Sequence, residues 1–194
     1  MSQISYDSRK AFLFWSVANI LGLTIPPLVL YFVPSLTAIS GLFTTTLIIS
    51  LPLSVAQWIA LRRSLPVSVL WTLTIPVCIL VIVLIIRKVP EDLLESVDSY
   101  TEFFISSLLF GFIIGLPQWL ILRRQADHAS IWLLGSALGV GLGVGLVIST
   151  DLVNLSGILA YVFAVLCYVV ATGLTLAWLI SKKDKSQTPA VITA

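Results

Sequence analysis

The sequence predicts an all-α polytopic membrane protein, with six transmembrane helices arranged as three degenerate, parallel two-helix hairpin repeats. Three observations lead there. Of the 194 residues, 58% are apolar and 10% charged, with a mean hydropathy of +1.07, far from the makeup of soluble domains. About 20 apolar residues are needed to cross roughly 30 Å of hydrocarbon, and six segments of that kind follow one another along the chain. The phrase QWIALRR, Gln57 to Arg63, also returns as QWLILRR, Gln118 to Arg124, 61 residues later. That period is the length of one helical hairpin.

The first span is expected over 11–33. Its apolar part is longer than the core of a signal peptide and no A-x-A site follows it, so it is read as a span, and it carries Asn19. The second, over 37–61, contains Thr46, Ser50 and Ser54 leading to Gln57 at helical spacing. The third is expected over 66–86, followed by RKVPEDLLESVDSYTE, where Pro90, Glu91 and Asp92 form a good helix start. That connection reads as a short interfacial helix or an extension of the fourth span, over 100–122, in which Gly111 and Gly115 lead to Gln118. The fifth, over 130–149, contains GSALGVGLGVG, where Gly135, Gly139 and Gly143 form one stripe and Ala137, Gly141 and Gly145 another. Such stripes let helices approach closely, which marks a centrally packed helix or a dimer contact. The sixth, over 154–180, starts at Asn154 and ends in AWLISKK, an echo of QWLILRR with Ala177 in place of glutamine. Prolines 26, 27, 52, 76 and 117 should bend the spans that contain them.

The repeats take in all six tryptophans. Trp15, Trp71 and Trp132 stand near hairpin starts, and Trp58, Trp119 and Trp178 near hairpin ends. The copies cover about 9–63, 64–124 and 125–183 of a single transmembrane domain spanning 1–194, with 184–194 as a short polar cytoplasmic tail. Each copy holds two helices, so successive copies enter the membrane in the same sense, related by an axis along the membrane normal. Threading the chain places Arg9, Lys10, Arg62, Arg63, Arg123, Arg124, Lys182, Lys183 and Lys185 on one side and only Arg87 and Lys88 on the other. By the positive-inside rule both termini are expected in the cytoplasm.

Tryptophan favours the headgroup level, and arginine reaches from there to water or phosphate. Trp58 and Arg62, Trp119 and Arg123, and Trp178 and Lys182 are each four apart and share a helix face. With Arg63, Arg124 and Lys183 they form the expected lipid-interface set, suited to anionic headgroups of the cytoplasmic leaflet. Gln57 and Gln118 sit about a turn deeper and need hydrogen-bond partners away from water. Their small and polar stripes turn them toward other helices, where they either staple the bundle or line an aqueous vestibule. Ala177 breaks any ring of three and favours stapling. Asn19 is the third interior polar candidate.

Several function classes are excluded or disfavoured. Dispersed basic pairs and a net charge of +2 give no nucleic-acid surface. Cys78 and Cys167 stand alone in apolar runs and read as packing residues, so neither a disulfide, a metal nor another cofactor is implied. No span carries a charged residue near its centre, which disfavours proton-coupled transport. His128, beside Asp127 in a loop, has no partner nucleophile, so no enzyme is expected.

The repeated Q-W-[IL]-x-L-R-R, with a tryptophan fourteen residues after each glutamine, resembles that of uncharacterised multi-pass bacterial membrane proteins, often cyanobacterial. The resemblance covers the paired motifs and, more weakly, most of the chain, and brings no activity with it. It implies a bacterial source and a plasma or thylakoid membrane. The expected function is that of a scaffold, assembly factor or accessory subunit, as a homo-oligomer or with a membrane-complex partner. The alternatives are a passive facilitator for a small neutral or anionic solute and an anionic-lipid sensor.

Overall fold

The computed structural model describes residues 7–32, 35–86, 88, 100–152 and 157–187. Among them are six α-helices: α1 (Ser8–Phe32), α2 (Ser35–Leu61), α3 (Trp71–Ile86), α4 (Tyr100–Leu122), α5 (Ile131–Leu152) and α6 (Gly157–Gln187). The interfacial-helix reading of the segment after α3, Asn154 and the last residues of the polar tail lie outside the described residues. Asp7 caps α1, its carboxylate accepting the Arg9 backbone N–H at 2.9 Å, which satisfies one of the free donors of the first turn.

Three helices are long and apolar enough to cross a membrane, over Ser8–Val29, Thr101–Leu122 and Ile158–Lys183. The apolar parts found in the other three, Leu47–Leu61, Trp71–Ile85 and Ile131–Gly143, are shorter. All six expose large apolar side chains, among them Leu13, Leu51, Leu73, Leu109, Leu138 and Leu174, while Asn19, Ser54, Gln57, Thr74, Gln118 and Thr172 are buried. Polar groups inside and apolar groups outside suit a protein whose solvent is lipid.

Among the described residues the helix backbones come close only between neighbours in chain order, and α1 closes the ring against α6. The seam between α3 and α4 is the thinnest. Helices α1, α3 and α5 begin, and α2, α4 and α6 end, at the same end of this up-and-down ring, where Trp15, Leu61, Trp71, Leu122, Trp132 and Leu179 share one buried cluster.

The two glycine stripes of α5 serve two different neighbours. Cβ atoms added at Gly139 and Gly143 would meet Tyr168 and Ala164 of α6 at 3.2 and 3.0 Å. One added at Gly145 would meet the Phe104 ring of α4 at 3.0 Å, and Gly141 likewise faces Leu108. Both stripes are thus consumed within the chain.

The helices run continuously through Pro26, Pro27, Pro52, Pro76 and Pro117. A proline leaves the carbonyl four residues earlier without its helical donor, and two of these carbonyls find partners on other helices. The Tyr161 hydroxyl donates to Leu23 O, which Pro27 frees. Cys78 Sγ approaches Ile113 O, which Pro117 frees, at 3.8 Å. Cys78 thus has a bonding role that a plain packing residue lacks.

The third helix starts later than the apolar run beginning at residue 66. Residues 66–70 belong to the connection, in which Val67, like Leu65 just before it, is buried against the cluster at the ring's end while Val69 and Leu70 are exposed.

Candidate functional site

The helix connections at the clustered end are built alike. Ser64 N and Leu65 N both donate to Leu61 O, as Gln125 N and Ala126 N donate to Leu122 O. Trp71 N donates to Ser68 O, as Trp132 N donates to Ala129 O. Each bond recurs 61 residues on. His128 takes a left-handed conformation with φ of 59°, which histidine tolerates better than most residues, and its ring meets Trp178 edge-on at 6.0 Å.

Under these loops Trp15, Trp71 and Trp132 are completely buried and meet one another edge to face. Their ring centroids are 6.4 Å apart for Trp15 and Trp71, 5.3 Å for Trp15 and Trp132, and 5.8 Å for Trp71 and Trp132. Each such pair stabilises by about 0.5–1.5 kcal/mol beyond its buried area. The arrangement closes the ring's axis with aromatic surface.

Every indole N–H in this trio has an acceptor. Trp71 Nε1 donates to Gln57 Oε1 at 3.3 Å, and Trp132 Nε1 to Gln118 Oε1 at 2.9 Å. Trp15 Nε1 donates instead to Thr172 Oγ1 at 2.9 Å, five positions before Ala177. Gln57 Nε2 donates to Asn19 Oδ1 at 2.7 Å and to the Tyr168 hydroxyl at 3.3 Å, while Asn19 Nδ2 donates to Trp15 O at 2.8 Å. Gln118 Nε2 reaches Thr74 Oγ1 at 3.5 Å, and Thr74 Oγ1 donates to Trp71 O at 2.7 Å. One network therefore ties together all six helices. Gln57, Gln118 and Asn19 are each fully buried within it.

The residues expected at a lipid interface gather at the same end, with Trp58 and Trp119 half-buried against the cluster and Trp178 exposed. Arg62 sits over the Trp58 ring at 4.8 Å, Arg123 over Trp119 at 5.3 Å and Lys182 over Trp178 at 5.6 Å. Arg63 instead covers Phe14 of α1 at 4.5 Å, and Arg124 is exposed while Lys183 is half-buried. Cation–π contact at exposed sites contributes about 0.5–1 kcal/mol, so these pairs orient charge more than they hold the fold.

On the far side of the tryptophan trio lies a cavity of about 260 Å³. Every helix contributes to its wall, through Leu23, Leu53, Ile75, Ile114, Val140 and Tyr168 among others. It lies inside the ring, where the backbones of non-neighbouring helices do not approach one another. Among the described residues no group of three or more His, Cys, Asp or Glu could hold a metal ion.

In the sequence the glutamines and the outer tryptophans stand out, but nothing there marks the inner three as buried. The fourteen-residue offset from glutamine to tryptophan is the signal that links donor to acceptor, and it occurs in two of the three places. Fold and site together define a polar-cored helical ring, closed at one end and hollow behind the closure. Compared with known proteins, the chain matches no family, no curated protein and no solved structure.

Proposed function

We propose that the protein is a non-catalytic integral membrane protein of six spans, acting as a scaffold, assembly factor or accessory subunit of a membrane complex. The observation that carries this reading is the closed end. Gln57 and Gln118, the groups a facilitator would need along a water path, are both engaged with buried indoles, and three mutually packed tryptophans occupy the axis. Such an end is suited to rigidity rather than conduction.

The three-hairpin reading draws support from the recurrence of loop bonds and of the glutamine–tryptophan bond at one period. The third copy is the degenerate one, with Thr172 replacing a glutamine as acceptor. Both termini are assigned to the cytoplasm from the basic residues, and the bacterial plasma or thylakoid membrane from the resemblance of the repeated motif. A second reading, recognition of anionic headgroups, is favoured by the three cation-over-indole pairs on that side. The two readings are compatible, since headgroup contacts would fix the depth of a scaffold in the bilayer.

Crosslinking in native membranes followed by purification in mild detergent tests the proposal. A partner or second copy recovered at fixed stoichiometry is the expected result. A lone monomer after crosslinking overturns it.

A further inference from the structure

We propose that the axial cavity is a binding site for one neutral, membrane-dissolved molecule with an apolar body and a single acceptor oxygen, such as an alkyl alcohol or ketone. This goes beyond the scaffold reading, which needs no ligand.

The cavity's size and chemistry select this class. Its volume of about 260 Å³ exceeds the roughly 150 Å³ of a dry engineered cavity that takes up benzene, and falls just below the range of about 300–1,000 Å³ for drug-sized ligands. A single ring or a short chain fits, and a whole phospholipid does not. The wall is apolar, with Ile75, Ile79, Ile114, Val140 and Val165 around it, so an ion or a water column would lose its hydration without compensation.

Two polar groups on the wall keep unused bonding capacity. Tyr168 accepts from Gln57 at 3.3 Å, and its own O–H meets no acceptor among the described residues. Ser50, 1% exposed, carries a hydroxyl with no partner there, and rotation between staggered rotamers can redirect it. Buried hydroxyls are ordinarily satisfied. An oxygen on the guest would satisfy Tyr168 at the tryptophan end while the apolar body fills the remainder. The thin seam between α3 and α4 offers a lateral way in from the bilayer, which is where such a molecule dissolves.

The trio at the cavity's end provides a reporter, because bromine quenches indole fluorescence on close approach. The full-length protein in lipid nanodiscs is titrated with 2-bromo-octan-1-ol, whose bromine sits beside the hydroxyl and so at the tryptophan end, and, separately, with 2-bromo-octane. With each probe expressed as its mole fraction in the lipid, the alcohol is expected to give a saturable quenching component, and the alkane to saturate only at a roughly three- to tenfold higher mole fraction, the worth of one net hydrogen bond. Tyr168→Phe, which removes one oxygen and keeps the ring, should bring the two probes together. Val140→Phe, which fills the cavity, should abolish the saturable component for both. If Val140→Phe does not fold, the probe difference and its loss in Tyr168→Phe still decide the matter. Quenching that rises without saturation and is unchanged by either variant is bilayer partitioning alone and overturns the site. Saturation without preference for the alcohol overturns the ligand class.

Discussion

Replacing Gln118 with leucine removes the acceptor of the Trp132 indole N–H, a bond of 2.9 Å between two fully buried side chains. A buried donor left unpaired costs about 1–3 kcal/mol, whereas interhelical hydrogen bonds measured in a membrane protein average about 0.6 and reach about 1.7 kcal/mol. The Thr74 contact at 3.5 Å is too long to add much. Gln118→Leu should therefore destabilise by about 1–2 kcal/mol. Trp132→Phe deletes the N–H itself, so in that background the same change should cost less, leaving a coupling of about 1 kcal/mol. Equilibrium unfolding in mixed micelles, followed by helical circular dichroism and tryptophan emission, measures the cycle. Effects that add to within about 0.3 kcal/mol, or a neutral Gln118→Leu, would refute the stapling role and return the glutamine to a watery environment.

The other predictions use the same unfolding assay or simple binding. Gln57→Leu should destabilise more than Gln118→Leu, because it strips partners from Trp71, Asn19 and Tyr168 together. Gly111→Ala should cost about 1–3 kcal/mol by overpacking, since the new Cβ would stand 2.9 Å from Ala137 Cα and backbone must move. Gly145→Ala, facing only the Phe104 ring at 3.0 Å, should cost clearly less. Tyr161→Phe should lose about 1 kcal/mol by orphaning the Leu23 carbonyl, and Cys78→Ala much less, because a thiol is a weak donor. Paired Arg62→Ala and Arg123→Ala changes should leave stability nearly intact but weaken binding to anionic vesicles, most visibly at low salt.

Much of the helical framework was legible because lipid imposes a strong compositional rule. The fourth helix, described over Tyr100–Leu122, ends where the apolar run does. The third begins later than its run, where Leu65 and Val67 cover the cluster from the connection, and hydropathy cannot tell covering from spanning. Asn19, Gln57 and Gln118 stood out as interior because polar groups there must pair. Their partners were hidden, since a tryptophan near a span's start looks the same whether it faces headgroups or other tryptophans. Thr172 was invisible as an acceptor because it stands five positions before Ala177, the residue that the echo AWLISKK places where the glutamines stand. The pairing of Tyr161 and Cys78 with carbonyls freed by Pro27 and Pro117 depends on which helices are neighbours, and the cavity depends on a ring closure that no local pattern encodes.

Closure of the axis by a satisfied tryptophan trio is the claim on which the scaffold reading depends, and hydrogen exchange of the indole N–H groups reads it directly. With the tryptophans isotopically labelled and the protein in lipid nanodiscs, Trp15, Trp71 and Trp132 should exchange far more slowly than Trp178, which is 38% exposed. Exchange of the trio as fast as that of Trp178 would mean that water reaches the axis, and would contradict a closed, non-conducting end.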